Sequence, residues 1–356
     1  MINRYTGIRM AGVAAAVPTK HVTPDDYVNV LGADAIESFK KASGVMKRHM
    51  VVPKKLNGDM TLWQTASDLC YAAANKLIDS LHIDRNEIGA IVFVSQSCDY
   101  NAPCTACVLQ HRLGLPTSAL AFDVPLGCSG YSYGVNVGAA MMYSSDMKYA
   151  LVLAGDAKAG GSIVSNVINS DSLLMGDSGS ATLLMRDENA EPLSFLCKTE
   201  GWGYNKTGVL SKGHRYPFAP SGKFYMDDLD VFNFITTNGP EIINEYMELQ
   251  GTTSDDYDCF ALHQASMFSL KTVARRIKVK MDKVPLSLTQ YGNTGPGSIP
   301  LTLCYQYGDI EESKTVNVLM SGFGVGLSAA AFASKLDTAT IFPVFETDEW
   351  FDDGLF

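Results

Sequence analysis

The feature that most constrains how this chain can fold is an internal echo. Ile88–Ser97 (IGAIVFVSQS) is a continuous apolar run closing on small polar residues, and Tyr257–Ser266 (YDCFALHQAS) repeats its shape. Runs of this kind read as strands covered on both faces. Ala119–Pro125 (ALAFDVP) leads into a glycine-rich turn and a small-residue helix, as Val284–Gly292 (VPLSLTQYG) leads into another turn and an apolar helix. Tyr149–Gly155 (YALVLAG) matches Thr315–Gly322 (TVNVLMSG). Strand, turn with helix, and strand recur in one order. The pattern predicts two similar α/β halves with mixed sheets, related by a pseudo-twofold and dividing near residue 185.

Two segments stand outside the echo. Asp187–Asp230 is rich in Gly, Lys, Pro and Tyr and reads as a long excursion, of the length usual for lids or dimer-contacting insertions. Leu336–Phe356 carries six acidic residues, no basic ones and several aromatics, and could either dock on the body or hang free. The expected division is therefore 1–185, 186–335 and an acidic extension 336–356.

Composition narrows the function. With 46% apolar and 19% charged residues, the chain can bury a sizeable core, which excludes a disordered or low-complexity reading. A net charge of −10 disfavours nucleic-acid binding, which needs cations to displace counterions from phosphates. No apolar run approaches the roughly 20 residues that span a bilayer. Met10–Val17 is apolar but ends at Pro18 and reads as a first strand rather than a signal peptide. Eight scattered cysteines read as reduced thiols of a cytoplasmic protein. Pro103-Cys104-Thr105-Ala106-Cys107 contains a C-x-x-C, but it opens an apolar helix and has no second pair, so neither redox nor metal use is expected of it.

Three residues could carry chemistry. Cys128, in Leu126-Gly127-Cys128-Ser129-Gly130, ends a buried strand and opens a helix that is apolar or small all round, as central helices are. Unpaired N–H groups of the first turn beside its sulfur would make the thiol more acidic, and the thiolate is the nucleophile; the alternative is a packed core cysteine. His263 closes a strand in Ala261-Leu262-His263-Gln264-Ala265-Ser266, where a structural role is the commoner one. Asn293, in Tyr291-Gly292-Asn293-Thr294-Gly295-Pro296-Gly297-Ser298, would alone be a turn residue. The echo sets Cys128 and Asn293 at equivalent turns and His263 at a central strand end, so pseudo-symmetry can bring all three to one point.

Together these motifs resemble the thiolase superfamily, and within it β-ketoacyl-acyl-carrier-protein synthase III. The resemblance rests on Ile8–Val17, Thr23-Pro24-Asp25-Asp26, Ser43–His49, the Cys128 motif, Met175–Ala181, Met226–Phe232, His263–Ser266, Tyr291–Thr294 and Gly322–Gly326. It runs from about residue 5 to residue 335, in family order. It implies an α-β-α-β-α layered fold with mixed five-stranded sheets, a central buried helix and a homodimer. By resemblance, Cys128 takes an acyl group from an acyl-thioester primer, on CoA or a carrier protein. A malonyl group on acyl carrier protein then loses CO2 and attacks it. His263 and Asn293 would donate hydrogen bonds to the enolate oxygen, with His263 neutral. The backbone N–H groups of Cys128 and Val325 would hold the acyl oxyanion, and Phe323 would stand beside the cysteine. No bound cofactor or metal is implied. A variant reading keeps the acyl-Cys128 intermediate but passes the acyl group to an alcohol or amine; the retained His/Asn pair favours condensation.

Departures from the family pattern bear on substrate. The tryptophan and arginines that grip CoA in acetyl-primed members align with Ser38, Asn169 and Ala42. At the dimer-crossing position that caps the primer pocket, Asn101-Ala102-Pro103 puts Ala102 in place of a large aromatic, which implies a primer longer than acetyl. Finally, Lys271, Arg275, Arg276, Lys278, Lys280 and Lys283 crowd into thirteen residues of an acidic chain. Such a patch suits an acidic partner, and Arg275 and Arg276 match positions the family uses for carrier-protein docking. On one helix, Lys271/Arg275 and Arg276/Lys280 would be i,i+4 like-charge pairs. A solvated helix face is the alternative.

Overall fold

The computed structural model describes residues 2–55, 61–158, 170–208, 215 and 225–355. The main strands are Ile8–Pro18 (β1), Ile88–Val94 (β2), Leu120–Val124 (β3), Tyr149–Asp156 (β4), Ser178–Arg186 (β5), Leu193–Thr199 (β6), Cys259–Leu262 (β7), Thr315–Gly324 (β8) and Ser328–Asp337 (β9). The main helices are Ala66–Ser80 (α1), Thr105–Arg112 (α2), Gly130–Tyr143 (α3), Asp228–Gln250 (α4), Met267–Arg276 (α5) and Ser298–Tyr307 (α6).

Two mixed sheets result. In the first, β2 lies between β3 and β4 and is parallel to both, while β5 is antiparallel to β4 and β1. In the second, β7 is parallel to β8, and β9, β6 and Ile2–Tyr5 follow antiparallel. Helices α3 and α6 fill the space between the sheets; α1 and α2 cover the first sheet outside, α4 and α5 the second. This is the five-layer arrangement. The central strands are buried on both faces, which is why β2 and β4 read as unbroken apolar runs rather than alternating ones. Small residues let the central helix approach the sheet: a Cβ on Gly134 of α3 would lie 2.5 Å from the Val94 side chain. Among the described residues, no helix is long and apolar enough to cross a membrane.

Several local expectations are corrected. Val284–Gly292 forms no strand; after Pro285 it makes only a four-residue helix, Leu288–Tyr291. Proline lacks a ladder donor, and the Gln264 side chain substitutes for a strand partner there. Its Nε2 donates to Leu262 O (2.8 Å) and Pro285 O (3.2 Å), and its Oε1 accepts from Leu288 N (3.2 Å). The excursion after Asp187 contains a full strand, β6, whose backbone is paired on both sides; residues 209–214 and 216–224 lie outside the described residues.

The acidic tail docks. Phe345–Thr347 pairs parallel with β1 and adds a sixth strand to the first sheet. Beyond it, Gln64 Nε2 donates to Thr347 O and Glu349 O. The Arg112 guanidinium lies between the rings of Tyr71 (4.3 Å) and Phe351 (4.6 Å) and pairs with Asp68 at 2.8 Å. Tyr100 hydrogen-bonds Asp353. The C-x-x-C thiols approach to 3.3 Å at the start of α2.

Candidate active site

Cys128 precedes α3 at the end of a turn, with Ser129 as the helix cap. The end of β8 closes over it from the other half. A Cβ on Gly324 would lie 2.9 Å from the Cys128 sulfur, and one on Gly322 would lie 2.7 Å from its carbonyl oxygen. Only glycine permits that approach, and Gly324 also holds a φ of +154°. Ser129 Oγ meets Ser328 Oγ at 2.6 Å, which fastens the two halves at this point.

His263 follows β7, whose last residue Leu262 is in register with Ser321, and the Ser321 carbonyl accepts the His263 backbone N–H. Its imidazole is 1% exposed and stands edge-on to Phe323 at 6.1 Å. Nδ1 lies 2.8 Å from Ser298 Oγ, at the first residue of α6. That oxygen also accepts the Gln264 N–H at 3.5 Å; with its own hydrogen turned to Nδ1, the imidazole carries its proton on Nε2, the tautomer that can donate into the cavity. Asn293 is tied into a short bridge with Met175. Its Oδ1 accepts from Gly295 N (3.0 Å), which leaves Nδ2, the donor end, for the cavity.

Cys128, His263, Asn293, Phe323 and Val325 all line one cavity of about 490 Å³. Leu174, Met175, Met226, Leu229, Phe232 and Ile235 supply its apolar walls. Burial drives the His263 pKa down to about 3, helped by the Lys158 charge and opposed by a hydrogen bond to the Gly295 backbone. The ring is therefore neutral at pH 7. The acidity expected of Cys128 is corrected: burial pushes the thiol up, outweighing the Lys158 charge and the backbone N–H groups of Val325 and Cys128 that pull it down. A helix terminus contributes partial charges, and removing a thiolate from water costs more.

Not every expected residue reaches this cavity. Ala102 is exposed and outside its lining, joined to Pro103 by a cis peptide. Lys271, Arg275, Arg276 and Lys280 are exposed on and after α5. That helix ends at Arg276, and Lys278 has a left-handed φ of 59°, so Arg276 and Lys280 are not the i,i+4 pair expected. Arg276 also donates to Thr236 O. Lys283 is turned inward, donating to Ser254 O (3.0 Å) and Tyr257 O (2.7 Å). Asn169 lies outside the described residues.

Motif reading missed Gln96, Asp156 and Lys158. Gln96 and Lys158 line the cavity, and Asp156 joins them. A usable signal exists: Gln96 shortly follows β2, Asp156 ends β4 and Lys158 shortly follows it. The carboxyl ends of strands are where α/β folds place their ligands.

Geometry of this kind belongs to cysteine acyltransferases built on the thiolase fold, and comparison with known proteins agrees. Residues 122–201 match the family 3-Oxoacyl-[acyl-carrier-protein (ACP)] synthase III, and residues 247–336 match the C-terminal part of the same synthase. The chain is 29% identical over 298 residues to the beta-ketoacyl-[acyl-carrier-protein] synthase III of Koribacter versatilis, covering 81% of this chain and 86% of that one. It is 26% identical over 346 residues to the synthase III of Lactobacillus helveticus, covering 93% and 99%. The crystal structure of a 3-oxoacyl-(acyl-carrier protein) synthase from Burkholderia xenovorans superposes with a TM-score of 0.87 at 32% identity, covering 98% of this chain and 99% of that one. The chain belongs to the 3-oxoacyl-[acyl-carrier-protein] synthase III family and is an acyltransferase.

Proposed function

We propose that the chain joins an acyl group held on Cys128 to a malonyl-type extender by decarboxylative condensation, releasing a 3-oxoacyl thioester. The observation that carries this reading is the meeting of a sulfur, a neutral imidazole and a carboxamide donor at one apolar cavity. The Cys128 sulfur attacks the primer thioester carbonyl, and the tetrahedral oxyanion is held by the N–H groups of Cys128 and Val325. The carrier thiol leaves with the proton taken from Cys128. In the second half-reaction the extender's carboxylate departs as CO2, and its electron pair forms an enolate. His263 Nε2–H and Asn293 Nδ2–H donate to that oxygen. A neutral donor suits the step, because it strengthens its hydrogen bond as charge develops without trapping the resting carboxylate as an ion pair.

The apolar walls favour a primer longer than acetyl, and Ala102 would leave the pocket deep where a partner subunit caps it. Lys271 and Arg275, exposed on α5, together with the stacked rings of Phe232 and exposed Phe268 (5.6 Å), form a basic and apolar rim beside the cavity mouth. This suits acyl carrier protein, which would deliver the extender to a homodimer; eight free cysteines fit a reducing cytoplasm. Acyl thioesters supply all the required electrons, so no cofactor is called for. Intact-mass detection of acyl-Cys128 over a panel of thioesters, followed by malonyl carrier protein, tests the reading. It predicts a 3-oxoacyl product with one CO2 each; an acyl-enzyme discharged only by an amine or alcohol overturns it.

A further inference from the structure

Lys158 lines the cavity where the two half-reactions would meet. Its Nζ lies 2.7 Å from Asp156 Oδ2 and 2.6 Å from Gln96 Oε1. Its backbone N–H donates to Asp177 Oδ1 at 2.7 Å, and the neighbouring Ala157 N–H to Ser97 Oγ at 2.9 Å. The side chain is only 13% exposed, and it lines the same cavity as Cys128 and His263.

Tight packing fixes this cation between the two catalytic turns. Gln96 Oε1, its partner on one side, would sit 2.4 Å from a Cβ on Gly127, the residue before Cys128. Asp156 Oδ2, its partner on the other, would sit 2.4 Å from a Cβ on Gly295, two residues after Asn293. Asp156 is itself held, its Oδ1 accepting from Ser95 Oγ (2.9 Å), Gln96 N (2.8 Å) and Ser97 Oγ (3.2 Å).

A cysteine beside a histidine can rest as thiol with imidazole or as thiolate with imidazolium. A fixed third cation discriminates between states: it favours the thiolate and penalises the imidazolium. Thiolate with neutral imidazole is thereby reached by loss of the thiol proton to solvent rather than to the ring, which keeps Nε2–H a neutral donor. We propose that Lys158 is the positioning residue that biases Cys128 and His263 toward thiolate and neutral imidazole. The inference rests on reading Cys128 as the nucleophile. The Lys158 charge lowers the pKa of both groups, and at Cys128 it exceeds the opposing influence of its partner Asp156, which accords with the geometry. Among the described residues, the other charged groups about the cavity are Asp156, Asp177 and Asp228. All three are anions, so Lys158 supplies the opposing sign.

The test is the pH dependence of Cys128 alkylation by iodoacetamide in the full chain, followed by peptide mass mapping at Cys128, since Cys98 and Cys107 are exposed as well. Lys158→Met should move the midpoint up by about one unit and slow alkylation at pH 7 roughly tenfold. Lys158→Gln, neutral and polar, should do the same and serves should the methionine variant fail to fold. Lys158→Arg, which keeps the charge, should hold the wild-type midpoint. The imidazole resonance of His263 should titrate at higher pH in the neutral variants. A purely structural lysine would slow alkylation equally at every pH, leave both midpoints unmoved and lose as much in the arginine variant; that result overturns the proposal. The assay reads the thiol alone, so a failure of condensation would leave it intact and would count against the proposed function instead.

Discussion

Ser298 Oγ lies 2.8 Å from Nδ1 of His263, both groups buried, so this hydroxyl bears on which ring nitrogen presents its proton to the cavity. Removing it should leave acylation of Cys128 nearly intact while slowing condensation roughly tenfold, the cost of one lost hydrogen bond of about 1 kcal/mol with its tautomer preference. Ser298→Ala measured in separate half-reactions checks this, with Ser298→Thr expected to restore the second. Equal loss in both half-reactions would show that the hydroxyl acts on structure alone.

The two donors should separate from the nucleophile. Cys128→Ser should abolish the stable acyl-enzyme. His263→Ala and Asn293→Ala should still accumulate it and lose condensation by on the order of 10²–10³, the magnitude for one donor to a developing oxyanion. Single-turnover mass spectrometry distinguishes the three variants.

Acid should destabilise the protein through His263. An unfolded histidine titrates near 6.5, whereas the folded one waits until about 3. Between those values the unfolded chain binds the extra proton, so stability is full above pH 6.5 and falls as pH drops. At pH 5 the loss should be on the order of 2 kcal/mol from this group. Urea midpoints at pH 7 and pH 5 measure it, and His263→Gln should remove that part of the slope.

The rim of α5 should matter only for carrier-bound substrates. Lys271→Glu and Arg275→Glu should slow malonyl-carrier turnover by about tenfold at low salt, less as salt screens the attraction, and spare free thioesters. Arg276 is a poorer probe, because its bond to Thr236 O also supports the fold. Equal inhibition of free and carrier-bound thioesters would place the effect in the cavity.

The tail should be part of the folded unit. Arg112 is 4% exposed and neutralises buried Asp68, while burial raises the pKa of the neighbouring Asp99 to about 6. Arg112→Leu leaves those carboxyls without their cation and should cost about 3–5 kcal/mol. Thermal melts would detect it, and deletion from Phe345 onward should destabilise in the same direction. An unchanged melting temperature in both variants would mean that the tail merely rests on the surface.

Local pattern alone carried much of this. Double-sided burial wrote β2, β4 and β8 as apolar runs, and the glycine-flanked Cys128 before an all-apolar helix announced a central α3, because strand and helix periods are properties of consecutive residues. The order of those pieces was enough to set Cys128 and His263 shortly after strands of the two halves and Asn293 at the turn before α6. Tertiary structure decided the rest. It showed that burial outweighs the helix terminus at the Cys128 thiol, that Gln264 stands in for a strand at Pro285, and that Phe345–Thr347 returns to pair with β1. It also set Lys158 against Gln96, 62 residues away. Such facts depend on which distant atoms share a volume, and on how much water that volume excludes; no run of neighbouring residues encodes either.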